Sequence, residues 1–358
     1  MFGNIYSGKK VFITGHTGFK GPWLATWLTM LGAEVTGYAL PPYYAESHFE
    51  LLGLDRRIRH IEGDVRDYAR LKAALDEARP DMVFHLAAQA LVRESYRDPK
   101  TTFDTNIGGA VNLLEALRTC ESVRALVFIT SDKCYRNVEW EWGYRENDAV
   151  GGEDPYSASK GCAEIVFRSF RDSFFKKNPD IRISTTRAGN VIGGGDWAKD
   201  RIVPDCIRAL RKGETIVIRS PHATRPWQHV LEPLGGYLLL GRKLYENADL
   251  SDRAAFNFGP DRYSNKTVKE MVELVIDIWG EGRLEIHQDP NAPREANLLQ
   301  LNCDRAWDSL KWRPTWAYEE SVRQTTLWYK EYVAGADVPK LTASQIEKYM
   351  REWGVEDA

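Results

Sequence analysis

VFITGHTGFKG, Val11 to Gly21, sets the reading of the whole chain. An apolar run, Val11–Thr14, passes straight into a turn holding Gly15, Gly18 and Gly21, and a helical pattern over Pro22–Leu31 follows. Glycine lets such a turn close tightly and lets backbone N–H groups approach a pyrophosphate. The helix beyond offers unpaired donors and the positive end of its dipole to that charge. The spacing is GxxGxxG rather than GxGxxG, and either pattern alone carries little. The strand before it and the helix after it make it a dinucleotide-binding turn.

Outward from that turn, the first half of the chain keeps one rhythm. Apolar runs at Val11–Thr14, Glu34–Tyr38, Ile58–Glu62, Met82–Leu86, Ala125–Ser131 and Ile181–Arg187 read as strands. Between them, Tyr68–Ala78, Lys100–Thr119 and Tyr156–Phe175 read as helices. This alternation predicts an α/β fold: a doubly wound parallel (Rossmann) sheet with helices on both faces. After Arg187 the rhythm breaks and Gly, Pro and Trp become frequent. That predicts a smaller, mixed C-terminal substrate-binding lobe, with helices near Thr267–Trp279 and Tyr318–Tyr332. The expected division is 1–189 for the dinucleotide and 190–358 mainly for the substrate, with part of 226–258 returning to the first domain.

Composition narrows the function classes. The 358 residues are 43% hydrophobic and 28% charged with a net charge of -3, which offers no footprint for nucleic acid or an anionic membrane. No run approaches the roughly 20 apolar residues of a membrane helix, and the N-terminal apolar run is too short for a secretory signal. Five dispersed cysteines without CxxC spacing point to reduced thiols in a cytoplasmic protein. Seven histidines form no HxxxH pair, so no metal is expected. Arg208–Ser220 is the densest basic stretch; it suits a small anionic ligand, but a solvated face is the default reading.

The second strand ends in Tyr38, Ala39 and Leu40, with no acid for a ribose 2′-hydroxyl and no arginine for a 2′-phosphate. The missing positive charge favours NAD. Asp64, in EGDVRD, is placed to reach the adenine, and a turn aspartate fits the spacing as well.

YSASK, Tyr156 to Lys160, puts a phenol and an ammonium on one helical face. A cation beside a tyrosine favours phenolate, which suits taking a proton from an alcohol. The same spacing recurs at Tyr6–Lys10, Tyr68–Lys72 and Tyr96–Lys100. Only Tyr156–Lys160 opens a long helix just after the strand that carries Ser131, at the sheet edge where ligands bind.

TGHTGFKG, GDVRD, FHLAAQ (Phe84–Gln89), ITSDKCY (Ile129–Tyr135), YSASK and RAGNVIGGGDW (Arg187–Trp197) follow one another as they do in extended short-chain dehydrogenases/reductases, the NAD-dependent epimerase/dehydratase family. The resemblance covers essentially the whole chain. It implies a Rossmann enzyme acting on a nucleotide-linked sugar. It also implies NAD held by Gly15, Thr17, Gly18, Phe19, Gly21, Asp64, Val65, Ala87 and Ala88 with Tyr156 and Lys160. Within the family, the residues after the fifth strand sort the reactions. Epimerases and dehydratases share a Ser or Thr there, and 4,6-dehydratases add an adjacent pair, usually aspartate then glutamate. Here Asp132 is followed by Lys133, which resembles the branch acting on CDP-glucose. The catalytic set implied is Ser131, Asp132, Lys133, Tyr156 and Lys160. Asp132 would be the acid for departing water, and Lys133 either the base for the carbon 5 proton or a cation steadying the enolate.

For the substrate, Gln89, Asn190, Arg201, Arg219, Arg225 and Arg294 are expected contacts, arginines being suited to a diphosphate. A structural salt bridge fits Arg225 and Arg294 equally. Arg187 and Asn106 are expected near the site. Trp197 and Trp227 would line the base pocket or pack the second lobe, and His85 reads as a core histidine. The resemblance implies a homodimer or dimer of dimers, and apolar stripes on Lys100–Thr119 and Tyr156–Phe175 suit partner helices. It further implies deoxysugar biosynthesis, such as that of lipopolysaccharide O-antigen. A nucleotide-sugar 4-epimerase, another 4,6-dehydratase and a non-catalytic dinucleotide sensor are the alternatives.

Overall fold

Seven parallel strands form the central sheet, and their order decides where a ligand lies. The computed structural model describes residues 2–246, 250, 253–261, 264–287 and 298–354. The strands are β1 (Lys10–Thr14), β2 (Glu34–Ala39), β3 (Arg59–Glu62), β4 (Met82–His85), β5 (Ala125–Ile129), β6 (Arg182–Arg187) and β7 (Ala255–Asn257). They lie side by side as β7-β6-β5-β4-β1-β2-β3. The chain moves outward from β1 to β3, then returns to place β4 against the other side of β1. That reversal opens a crevice at the carboxyl ends of β1 and β4. All of β4 and β5 is buried, as an apolar strand covered on both faces should be.

The helices used below are α1 (Lys20–Met30), α2 (Tyr68–Ala78), α3 (Gly109–Arg118), α4 (Pro155–Ser173), α5 (Ile202–Lys212), α6 (Leu231–Tyr245), α7 (Val268–Trp279), α8 (Tyr318–Val333) and α9 (Val338–Glu352). Their ends follow local chemistry. The Asp154 carboxylate accepts the Ser157 N–H and Pro155 sits in the first turn of α4. Thr267 and Glu270 cap α7 reciprocally, and Gly280, at φ 98°, ends it.

Two sequence expectations need correction. The predicted helix Lys100–Thr119 is interrupted. A helical turn, Pro99–Phe103, leads into a wider turn of π geometry, Asp104–Gly108, before α3 begins. The Asn106 amide within that turn is drawn out to Gln89 and Ser159. Gly109 follows because a Cβ there would lie 2.6 Å from Val65 Cγ2. The second correction concerns β5, which stops at Ile129. Thr130 and Ser131 lead instead into a single tight turn, Asp132–Cys134, that the Ser131 hydroxyl caps.

The C-terminal half supplies β7 to the sheet edge beside β6, and α6 packs across β5. It also forms three two-stranded ladders, pairing Val191–Ile192 with Gln228–His229, Thr224–Pro226 with Asn265–Thr267, and Ile216–Ile218 with Leu284–Ile286. Trp27 of α1 and Trp316 both meet the Tyr349 ring of α9, at 5.6 and 5.0 Å. Trp27 and Tyr349 are fully buried, and each such side chain stabilises by roughly 1.5–3 kcal/mol. The buried Glu232 carboxylate, at the start of α6, accepts N–H groups of Thr315 and Trp316 and the Tyr349 hydroxyl. Among the described residues no helix is long and apolar enough to cross a membrane.

Candidate active site

The glycine turn makes one wall of the crevice. Gly15 adopts φ 77°, and a Cβ on it would lie 2.6 Å from the Ala87 backbone nitrogen. Only glycine lets the loops after β1 and β4 touch in this way. Gly21 is pressed against the Gly15 carbonyl, where a Cβ would approach to 2.5 Å. The Thr17 hydroxyl donates to the Leu40 carbonyl at 2.9 Å, and the Ala87 N–H to Thr14 Oγ1 at 3.2 Å. Gly18 donates its N–H to Gly15, and Phe19 precedes the first turn of α1. Ala88 is half-buried in the loop after β4. Val65 lies buried beside Gly109. Burial alone would raise the pKa of Asp64, but hydrogen bonds from Arg66, at 2.9 and 2.8 Å, outweigh it and hold the carboxyl below its ordinary range.

The reactive groups gather at the ends of β5 and α4. The Ser131 hydroxyl lies 2.9 Å from Asp132 Oδ1 and stands close enough to the Tyr156 phenol to lower its pKa. The Lys133 N–H donates to the same Asp132 oxygen at 2.9 Å. Ser131, Asp132, Tyr156 and Lys160 are each exposed by 7% or less, while Lys133 is half-buried. Gly189, in the turn after β6, is shaped by this acid: a Cβ there would lie 2.5 Å from Asp132 Oδ1 and closer still to Oδ2.

Burial sets the electrostatics. It pushes the Tyr156 phenol up to about 12, with the Ser131 hydrogen bond and the Arg201 charge opposing it. The sequence led us to expect a depressed phenol; desolvation is stronger than the cationic surroundings. The same burial lowers Lys160 to about 8, and its Nζ stands 5.9 Å from the Tyr156 ring centre.

Sequence reasoning missed a second lysine in this cluster. Lys20, within the quoted glycine turn, reaches the Tyr237 hydroxyl of α6 at 3.3 Å. Burial takes it down to about 7, with Asp132 opposing and Arg201 and Lys160 adding to the fall. A charged residue at the mouth of a helix, where α1 is otherwise apolar, was the available signal.

The expected substrate residues are placed differently from one another. Arg201 pairs with buried Asp196 at 2.7 Å and its charge is felt at Tyr156 and Tyr44. Asn190 adopts φ 51° and its carbonyl accepts the Gln228 N–H. The Gln89 amide is engaged within its own loop by Leu91 and by Thr102. Arg225 donates to the Thr224 carbonyl, and Arg219 is exposed beyond Ile216–Ile218. Arg294 lies outside the described residues. Arg187, expected near the site, turns inward to a buried ion pair with Glu164. Trp197 and Trp227 are buried in the large core cluster that α1, α6, α8 and α9 share. His85 is a core histidine, bonded to Thr14 Oγ1 at 2.7 Å.

A family model described as GDP-mannose 4,6 dehydratase matches residues 12–325. The chain is 46% identical over 352 residues to the CDP-glucose 4,6-dehydratase of Salmonella typhimurium, covering 97% of this chain and 98% of that one. Two solved structures share the fold. The UDP-glucose 4-epimerase of Thermotoga maritima aligns with a TM-score of 0.76 at 23% identity, over 90% of this chain and 99% of that one. The dTDP-glucose 4,6-dehydratase DesIV of Streptomyces venezuelae, solved with NAD, gives 0.76 at 21% identity, over 90% and 97%.

Proposed function

The chain belongs to the GDP-mannose 4,6 dehydratase family, and on that premise we propose that it is a lyase converting CDP-glucose to CDP-4-keto-6-deoxyglucose and water. The observation that carries this reading is the acid-bearing turn, in which Ser131 bonds Asp132 at 2.9 Å and both act electrostatically on Tyr156, in a chain 46% identical to a CDP-glucose 4,6-dehydratase.

The residues of the crevice fit a dinucleotide. Glycines at 15 and 21 leave room where a Cβ would meet backbone, and the turn leads into the start of α1. NAD bound there supplies the acceptor and donor of hydride. Tyr156 takes the proton of the sugar 4-hydroxyl as carbon 4 becomes a ketone. With its phenol near 12, that transfer depends on the Ser131 hydroxyl and on the charges of Arg201 and Lys160. The ketone acidifies the proton on carbon 5. Lys133 acts at that step, removing the proton as base when neutral, or, when charged, steadying the enolate while another group takes the proton. Asp132 protonates the departing 6-hydroxyl. Oxidation at carbon 4 and reduction at carbon 6 balance, so the reaction has no net redox change.

The test is a panel of CDP-, UDP-, GDP- and dTDP-glucose, each assayed for 4-keto product in heavy water. CDP-glucose should give a 4-keto sugar labelled at carbon 5. An epimerised sugar without ketone would overturn the reading in favour of an epimerase. We also infer the division into a dinucleotide domain (1–189) and a sugar-nucleotide domain (mainly 190–358), and a cytoplasmic homodimer or dimer of dimers serving deoxysugar biosynthesis. Ile165 on α4 and Phe174 just beyond its end, 50% and 43% exposed, support the dimer. Gel filtration at micromolar concentration giving a monomer mass would reject it.

A further inference from the structure

One buried ion pair reaches both ends of the turn that carries Ser131 and Asp132. Glu164 lies one helical turn beyond Lys160 on α4, and its carboxylate meets Arg187 of β6 twice, at 3.0 and 2.8 Å. Glu164 Oε1 also accepts the Thr130 hydroxyl at 2.5 Å, and Oε2 the Thr185 hydroxyl at 3.0 Å. Arg187 donates from its other terminal nitrogen to the Tyr135 hydroxyl at 2.7 Å, and that hydroxyl donates on to Asn257 of β7 at 2.8 Å. Burial opposes both charges, and their mutual pairing overrides it. Thr130 and Tyr135 bracket residues 131 to 134. Each is therefore tied through the pair to the helix that presents Tyr156 and Lys160.

We propose that Glu164 and Arg187 are positioning residues, with Thr130 and Tyr135 as their two handles, fixing the distance between the Asp132 acid and the Tyr156 phenol. The proposal rests on the dehydratase reading above. A site whose oxidation and elimination groups come from two elements needs those elements held in register. A misplacement near 1 Å costs roughly 100-fold in rate.

Removing either charge would strand the other inside the protein, so the test cuts the handles instead. Thr130→Val and Tyr135→Phe leave the ion pair whole. For each variant, turnover of CDP-glucose per NAD-loaded molecule, KM, melting temperature and the isotope effect of deuterium at carbon 5 are measured. Expected is a fall in kcat of about 10- to 100-fold, with KM within about twofold, and a larger carbon 5 isotope effect as elimination becomes limiting. The double variant should lose less than the product of the two single losses. Unchanged kcat and isotope effect, with only the melting temperature lowered, would overturn the proposal. If wild-type enzyme makes no 4-keto product, the dehydratase reading fails instead, so the two failures are distinct.

Discussion

Gly189→Ala tests the acid without touching it. Gly189 has no left-handed backbone, so alanine suits its conformation. The cost arises in space alone. The new Cβ would lie 2.5 Å from Asp132 Oδ1, against 3.4 Å for ordinary contact, so that oxygen must retreat by 3.4 − 2.5 = 0.9 Å and Oδ2 by more. A shift near 1 Å in a reacting group costs roughly 100-fold in rate, equivalent to about 2.7 kcal/mol of barrier. Overpacking of this kind destabilises by about 1–3 kcal/mol, so the protein should still fold. Expected are a kcat for 4-keto product near one hundredth of wild type and an NAD affinity, by fluorescence titration, within about twofold. Asp132→Asn should lose at least as much. A Gly189→Ala enzyme within about threefold of wild type would refute the assignment of Asp132 as the acid for departing water.

Tyr156→Phe should lower turnover by roughly 10²–10⁴-fold while leaving NAD binding intact; appreciable turnover would remove the phenol from the mechanism. Glu232 is raised to about 7 by burial from an ordinary 4.5, the hydrogen bonds from Thr315, Trp316 and Tyr349 opposing. Its folded value exceeds its unfolded one, so its contribution to stability is full below about 4.5 and is lost as pH rises through about 7. That gap corresponds to about 3 kcal/mol at most. Urea unfolding from pH 4.5 to 8 should show Glu232→Gln flattening this dependence; an unchanged slope would assign it elsewhere. Lys20 has the opposite sign. Its folded value, about 7, lies below an ordinary 10.5, so the cost of its buried charge is full below pH 7 and gone above 10.5. Lys20→Met should therefore raise the melting temperature more at pH 6 than at pH 9; an equal gain at both would contradict it.

The sheet was legible because its strands are apolar throughout and glycine marks the first turn. The helices capped by Asp67, Asp154 and Thr267 were legible too, since a side-chain cap signals a start. Helix α6 was not. It is apolar nearly all round, with twelve of its fifteen residues buried, and such a run has no period to betray it. Helix α9 had a readable start, Asp337 with a proline just after it, that composition near the C-terminus obscured. At the site, Tyr156, Lys160 and Ser131 were singled out by position at strand ends, and Asp132 by the family resemblance. Lys20 was overlooked because its partner, Tyr237, is 217 residues away. The pairing of Arg187 was not legible because its counter-ion Glu164 belongs to another element, and no local spacing reveals a long-range pair.

The distribution of charge explains how one acid can work among so many cations. Arg187 is neutralised by Glu164 and Arg201 by Asp196, so neither guanidinium depends on Asp132 as a counter-ion. The two lysines nearby, Lys20 and Lys160, are drawn down to about 7 and about 8 by burial, so neither is a fixed cation across the neutral range. Asp132 itself is bonded to neutral donors, the Ser131 hydroxyl and the Lys133 backbone N–H. A carboxyl locked in a bidentate arginine pair is a poor proton donor, because giving up the charged form means breaking that pair. With the strong pairs assigned to Glu164 and Asp196, Asp132 is held by no arginine pair, as the proposed acid for departing water requires. The proposal thus assigns ion pairing and proton transfer to different carboxylates.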